Sequence, residues 1–321
     1  MELVPGSEQA VKAILGAGRD QVFEATERLD IDPNTLPRLP WDTLHDVVGP
    51  IWPTDIWLAG AGTGSGKTTV LAHIAEALLA GRRRIYVLTL EQTPAELRTA
   101  MAALALGYHP QQALQNAWDK MGRDSKAVLT NELHRQITDL EGRLIFSHAT
   151  TMGESDIEPE LVMASRFNAD LVIIDHLSQI DADGYHGMKR FVKTLKRIVN
   201  EVQVPVLVAA QLGRGDRDIM RPYRPPTTYD IEGGEVIAQH MSVAIGLYRP
   251  TIPMSLDDER SVRRGQAEMK NFLVPEAMGV SLMKHRVRGD QLGAKIQLRY
   301  RHGRITDPLG VDPEGGARYG L

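Results

Sequence analysis

The chain has 321 residues, 42% of them hydrophobic and 24% charged, and a formal net charge of −4. This is the composition of a globular protein with a full core, long enough for one large domain or one domain with an appendage. There is no cysteine, which excludes disulfides, thiolate zinc sites and a cysteine nucleophile and suits a reducing compartment. No apolar run approaches the roughly 20 residues that span a bilayer, and the N-terminus, MELVPGSEQA, lacks the basic and apolar regions of a secretion signal. Charge is unevenly spread: residues 260–304 carry eleven Lys/Arg against three Asp/Glu, net +8, which leaves the remainder at −12. Such a segment is either an anion-binding surface or a solvated face.

In chain order, Ala10, Val11, Ile14 and Leu15, then Val22, Phe23 and Leu29, sit near helical spacing and predict one or two amphipathic helices over 7–29. Three prolines in DIDPNTLPRLP break that pattern and mark a linker ending at Pro40. Residues 1–40 are therefore expected to be a helical appendage and linker, 41–308 the main domain, and 309–321, with four glycines and one proline, a flexible tail. Within the main domain, IWLAGA reads as a strand, VLAHIAEALLA as a helix and IYVLTL as a second strand ending at Glu91. A helix over 94–106 opens on Pro94, where the missing N–H costs little. Residues 110–140 read as helical with a break at 122–125, LIFS as a short strand, and 156–167 as a helix.

ADLVIIDHLSQI (169–180) has the continuous apolar character of a parallel strand buried on both faces. A helix from Met188 to Val202 leads to a strand at 204–212, then a loop rich in Gly, Pro and Arg over 213–235. Residues 241–249 read as a strand, 253–271 as a polar insertion, and 278–286 and 294–307 as closing antiparallel strands. Alternating strands and helices predict an α/β fold, a mostly parallel central sheet with helices on both faces, antiparallel at its C-terminal edge.

Strand, glycine-rich turn and helix over residues 56–70 form a phosphate loop (P-loop): Ala61, Gly62, Thr63, Gly64, Ser65, Gly66, Lys67, Thr68 and Thr69. Glycines let successive N–H groups converge on phosphate oxygens, and the helix adds its positive end. Lys67 is placed to reach the β- and γ-phosphates and Thr68 to ligate Mg²⁺, so ATP and Mg²⁺ are the expected cofactors. The pattern's first position is Ala61 instead of Gly, which the backbone tolerates where φ is negative. Asp175 ends an apolar strand, where its carboxylate can complete the Mg²⁺ shell. Glu91 is a candidate for polarising the attacking water, and Gln211 for sensing the γ-phosphate and passing its state to the loop behind. The ten histidines show no metal-ligand spacing.

AGTGSGKTTV, YVLTLEQTPAELRTAM, LVIIDHLSQI, VPVLVAAQLGRG and LMKHRVRGDQLGAKIQLRYRHGRITD, in that order, resemble the RecA-type motor domain of hexameric DnaB-like replicative helicases. The resemblance runs from about Trp41 to Asp307 and includes the Leu-Glu-x-x-Pro element at Glu91. It implies a RecA-like P-loop NTPase in which Glu91 is the catalytic base, Asp175 the magnesium acid and Gln211 the γ-phosphate sensor. It also implies that Lys284 and Arg286 reach into the adjacent subunit's ATP site, with Arg286 an arginine finger. About forty residues precede the matched region, so the family's large primase-interacting N-terminal domain has no counterpart among them, and loader and primase partners are unassigned. The stretch DIEGGEVIAQ resembles the family's DNA loop but lacks its Arg and shifts its glycine by one.

Arg214, Arg217, Arg221 and Arg224 follow Gln211 and are candidates to grip the phosphates of a single strand, with Tyr223 and Tyr229 nearby; a ligand-free polar loop is the alternative. The expected activity is an ATP-hydrolysing DNA motor, a homo-hexameric ring on single-stranded or forked DNA with no membrane association. It would act in the cytoplasm, nucleoid-associated, or in the host cytoplasm for a viral source. Two other classes stay open. One is a RecA/RadA-like recombination or branched-DNA ATPase, in one version with nuclease metal at Asp216, Asp218 and Asp230. The other is a regulatory ATPase binding protein partners.

Overall fold

A computed structural model describes residues 30–62, 65–177, 180, 184–213, 223–231, 235–301 and 303–308. The helices expected over 7–29 and the tail 309–321 lie outside the described residues. The chain divides into two compact units, Met1–Leu36 and Pro37–Leu321. The described part of the first holds a 3₁₀ turn, Pro33–Thr35, whose N-cap Asp32 accepts the Asn34 N–H at 2.9 Å.

The second unit is built on a sheet. Its described strands are β1 (Ile56–Ala61), β2 (Ile85–Thr89), β3 (Leu144–His148), β4 (Leu171–Asp175), β5 (Val206–Gln211), β6 (Val243–Tyr248), β7 (Ala277–His285), β8 (Lys295–Arg301) and β9 (Arg304–Thr306). They lie side by side in the order β3-β2-β4-β5-β1-β6-β7-β8-β9. Pairing is parallel from β3 across to β6 and antiparallel from β6 to β9. Because side chains alternate across a strand, each parallel strand feeds two cores. Trp57, Ala59, Val87 and Ile173 point into one apolar cluster, and Ile56, Leu58, Leu88 and Ile174 into the other. That double burial is why these strands are apolar throughout instead of alternating.

Helices α1 (Asp42–Val48), α2 (Lys67–Ala80) and α3 (Pro94–Ala105) cover the first face through Leu44, Val70, Leu71, Leu97 and Met101. Leu39 and Trp41 belong to the same core, at 1% and 2% exposure. The helices α4 (Pro110–Leu114), α5 (Trp118–Met121) and α6 (Ser125–Asp139) follow, and a small satellite core joins Ala102 and Ala103 of α3 to Ala113 and Leu129. The second face is covered by α7 (Ile157–Arg166), α8 (Gly184–Val202) and α9 (Glu235–His240) through Ile157, Leu161, Phe191, Leu195 and Ile237. The helix α10 (Leu256–Arg263) completes the set.

The mostly parallel sheet with antiparallel C-terminal strands is the expected one, and several element bounds differ for local reasons. The apolar run 169–180 is a strand only over Leu171–Asp175; Leu177 and Ile180 are apolar because they are core residues beyond it. The helix expected from Met188 begins at Gly184. Residues 294–307 split into two strands at Gly303, which lies at φ +81° and where a Cβ would stand 2.4 Å from Pro110 Cδ. The polar insertion holds α10, because Ser255 and Asp258 cap each other's backbone at its start.

The phosphate-loop helix is tied to the C-terminal edge. Trp41 Nε1–H donates to the Ile305 carbonyl at 2.9 Å, and the Asp307 carboxylate accepts the Asp42 and Thr43 N–H groups at the start of α1. His73, on α2, accepts the Ile305 N–H through Nε2 at 3.0 Å, a role open only to an unprotonated nitrogen. Burial above all pushes the His73 pKa down to about 4. The unfolded chain takes up this proton near pH 6.5 and the folded one only near 4, so stability is lost as pH falls through that window. Between pH 7 and pH 5 the loss from His73 should be about 2 kcal/mol. His73→Gln keeps an acceptor for Ile305 without a titrating ring. Its urea midpoint should fall less between those two pH values than that of the wild type, and equal falls would place the acid sensitivity elsewhere.

Candidate functional site

The apolar strand β1 ends at Ala61, which pairs with Gln211 and Leu247 as an ordinary strand residue, so the position needs no glycine. The Ser65 N–H donates to the Gly62 carbonyl at 3.0 Å and closes the turn; Thr63 and Gly64 lie outside the described residues. Gly66 has two reasons to be glycine: its φ is +89°, and a Cβ there would stand 2.8 Å from Met278 Cε. Lys67, Thr68 and Thr69 form the first turn of α2, and no side chain caps that end. Free N–H groups and the positive end of the helix dipole therefore face the loop, the arrangement that binds phosphate.

Strand register brings the other candidates to the same end of the sheet. In the row β2-β4-β5-β1 the carboxyl ends stand together, with Thr89 beside Asp175 and Gln211 beside Ala61. Asp175 is 1% exposed, and its Oδ1 has no hydrogen-bond partner among the described residues. Lys67 Nζ stands 3.6 Å from that oxygen and 3.8 Å from Glu91 Oε2. Burial raises the Asp175 pKa, and the Lys67 charge works against it. Glu91 lies two residues past β2, not at the strand end, and just before Thr93, the N-cap of α3. Pro94 is the first residue of that helix, as its missing N–H predicted.

One residue at the site carried no expectation. His176 Nε2–H donates to Glu91 Oε2 at 2.8 Å, from a ring only 3% exposed. Burial, and then the Lys67 charge, hold the imidazole pKa below its ordinary value, so the ring is neutral near pH 7. The signal was its place beside Asp175 in LVIIDHLSQI, where the apolar run hid a polar ring turned toward the neighbouring strand.

These residues suit a hard divalent cation. The orphaned Asp175 oxygen and the Thr68 hydroxyl are hard oxygen donors, and Mg²⁺ is commonly held by one or two such groups plus substrate phosphates and water. Among the described residues no three carboxylates and imidazoles group into a metal cage.

Gln211 ends β5, and beyond it the Gly213 N–H donates to the Asp230 carbonyl while Leu212 bridges Ile231, which closes the base of the Arg-rich loop. Arg214, Arg217 and Arg221 lie outside the described residues. Arg224 stands 3.9 Å from Asp230, and Asp230 accepts the Thr227 N–H and hydroxyl at 2.7 and 2.9 Å. That capping role gives the Asp230 carboxylate a structural task within the loop; Asp216 and Asp218 lie outside the described residues.

Lys284 and Arg286 sit at the far end of the sheet. The antiparallel strand β7 places His285 opposite Val243, and Val243 pairs with Trp57 near the start of β1. Arg286 is exposed, and its N–H donates to the Ser242 carbonyl. The Lys284 ammonium donates to the Ala238 and Gln239 carbonyls, both at 2.7 Å, and so tethers the C-terminal end of α9.

The sequence model of the DnaB-like helicase C-terminal domain matches residues 41–303. The chain belongs to that family. This DnaB-like domain is therefore an NTP-hydrolysing helicase of the replicative kind, with an ATP-binding P-loop and a RecA-like fold. DnaB-like helicases use ATP with Mg²⁺, form hexamers, bind single-stranded DNA and interact with primase. The ATPase domain of G40P shares the fold at a TM-score of 0.67 and 16% identity, over 92% of this chain and 98% of that one. A DnaB-like replicative helicase, described with its primase interactions, matches at 0.66 and 17%, over 90% of this chain and 66% of that one. Among curated proteins none matches. No helix among the described residues is long and apolar enough to cross a membrane.

Asp175→Asn removes a buried carboxylate whose desolvation the Lys67 charge offsets only in part. The nucleotide-free variant should therefore melt at or above the wild-type temperature. The rise in melting temperature that ATP with Mg²⁺ gives the wild type, worth about 2.7 kcal/mol at a hundred times Kd, should shrink or vanish. A variant stabilised as fully as the wild type would remove Asp175 from the metal site.

Proposed function

We propose that this DnaB-like domain works as a ring, an ATP-driven motor that translocates on single-stranded DNA and unwinds forks. The observation that carries the reading is the separation of Arg286 from its own P-loop. Along β1, Trp57 at the Arg286 end and Ala61 at the loop end are four residues apart, roughly 13 Å at 3.3 Å per residue, before the loop itself begins. A guanidinium at one end of the sheet cannot serve a triphosphate at the other, so an arginine finger here must serve a neighbouring subunit. Lys284 would have to leave the carbonyls of α9 to join it, so the reading gives the finger to Arg286 and keeps Lys284 as the tie between β7 and α9.

In this reading the loop Ala61–Thr69 cradles the triphosphate and Lys67 neutralises its β- and γ-oxygens. Thr68 and Asp175 would hold Mg²⁺, whose charge would offset that of the phosphates. Glu91 accepts the proton of the attacking water. Gln211 senses the γ-phosphate and moves the loop pinned at Gly213 and Asp230, whose Arg214, Arg217, Arg221 and Arg224 grip the DNA backbone. The motor is assigned to 41–308, with an appendage and linker over 1–40 and a tail over 309–321, and the protein to the cytoplasm.

Glu91→Gln should bind ATP normally and hydrolyse it about 10²- to 10⁴-fold more slowly, since an amide accepts no proton. Arg286→Ala should cost about 10³-fold or more in turnover with nucleotide binding intact. Neither Lys67→Ala nor Arg286→Ala rings should hydrolyse or displace a strand from a fork. Mixing the two should restore ATPase activity at interfaces where an intact loop meets an intact finger. A protein that stays monomeric with ATP and DNA at undiminished turnover would overturn the ring. For DNA, replacing Arg214 and Arg217 together by Ala should weaken single-strand binding and lower the slope of log affinity against log salt by roughly one for each phosphate no longer neutralised. An unchanged slope would take the loop off the backbone.

A further inference from the structure

The Glu91 side chain is 53% exposed, with little packing to fix its direction. Two groups face its carboxylate among the described residues with a positive charge or an N–H: Lys67 Nζ at 3.8 Å and His176 Nε2 at 2.8 Å. The two hold it differently. Lys67 is half of a loose ion pair that a bound triphosphate would compete for, since four negative oxygens attract an ammonium more strongly than one carboxylate. His176 makes the shorter contact from a ring only 3% exposed. Its backbone is anchored on both sides: the Asp175 carbonyl accepts the Leu90 N–H at 2.7 Å, and Leu177 is 2% exposed in the core. Leu90 is also the residue before Glu91, so the same backbone bond ties the two partners' strands together.

We propose that His176 is the positioning residue of the hydrolytic centre: it fixes the Glu91 carboxylate for proton abstraction once Lys67 has turned to the phosphates. The inference rests on Glu91 being the base. His176 keeps its own proton throughout. It donates Nε2–H to one Glu91 oxygen, which leaves the other oxygen to take the proton of the attacking water, while the water oxygen forms its bond to phosphorus and the nucleoside diphosphate leaves. A base placed about 1 Å wrong costs on the order of 100-fold in rate without loss of substrate binding. Orienting partners of active groups commonly carry effects of about 10- to 100-fold.

The test uses His176→Leu, His176→Gln and His176→Asn in the full chain, with single-turnover hydrolysis, ATP affinity and melting temperature measured separately. The Gln amide nitrogen reaches the place of Nε2 and the Asn amide stops one bond short. His176→Leu should lower turnover about 10- to 100-fold at unchanged ATP affinity. His176→Gln should recover most of it and His176→Asn should not, a contrast between two polar side chains that holds even if the Leu variant fails to fold. A double-mutant cycle decides whether the ring acts through Glu91. In a Glu91→Gln background, His176→Leu should slow hydrolysis no further. Wild-type turnover in His176→Leu, equal rates for the Gln and Asn variants, or losses that multiply in the cycle would each overturn the proposal. Wild-type turnover in Glu91→Gln alone would overturn the assignment of the base, and the positioning role with it.

Discussion

Lys67 carries one positive charge between two carboxylates, 3.6 Å from Asp175 and 3.8 Å from Glu91. At an effective dielectric of about 20 each such contact is worth roughly 4 kcal/mol before desolvation is counted. Asp175, at 1% exposure, is the more heavily desolvated of the two carboxylates, and Lys67 stands against it as the ion-pair partner. The site is thus held in a state that a polyphosphate with its cation could replace: the ammonium would turn to phosphate oxygens and Asp175 would be free to hold a metal. The balance exists because β2, β4 and β1 end together in the row β2-β4-β5-β1, and it would fail if any of them slipped by one residue, since a slip turns every side chain to the other face.

The same sheet separates the two halves of the chemistry. Parallel strands put Glu91, Asp175, Gln211 and the P-loop at one end. The reversal at β7 sends Lys284 and Arg286 to the other. In the proposed ring, a single chain would present a loop without a finger on one side and Arg286 without a loop on the other, the polarity that a closed ring needs. Lys284, held by the Ala238 and Gln239 carbonyls, links that far end to α9, which forms the second half of the stretch that resembles the DNA loop.

Much of this was legible in the residues alone. The P-loop announces itself because phosphate binding needs glycines, a lysine and a hydroxyl at fixed spacing, and its flanks alternate strand and helix. Asp175 was legible because an acid at the end of an apolar run has few other uses. What misled was burial: Leu177 and Ile180 are as apolar as a strand but lie beyond one, so the strand looked longer than Leu171–Asp175. α10 was hidden in a polar stretch because its start rests on one Ser255–Asp258 exchange of hydrogen bonds, which hydrophobic periodicity does not register.

By itself the sequence determined the nucleotide loop, the α/β alternation and the acid at the end of β4, since all three follow from residue type and local spacing. Only the tertiary structure decided which side chains meet. Glu91 and His176 are 85 positions apart and touch because β2 and β4 are neighbours in the sheet. His73 is bound to Ile305 because the chain's last described strand folds back along α2. Arg286 lies at the end of the sheet opposite its own loop because β7 runs antiparallel to β6. Strand order and direction are long-range properties, set by how two apolar faces are covered at once, and no local pattern of residues encodes them.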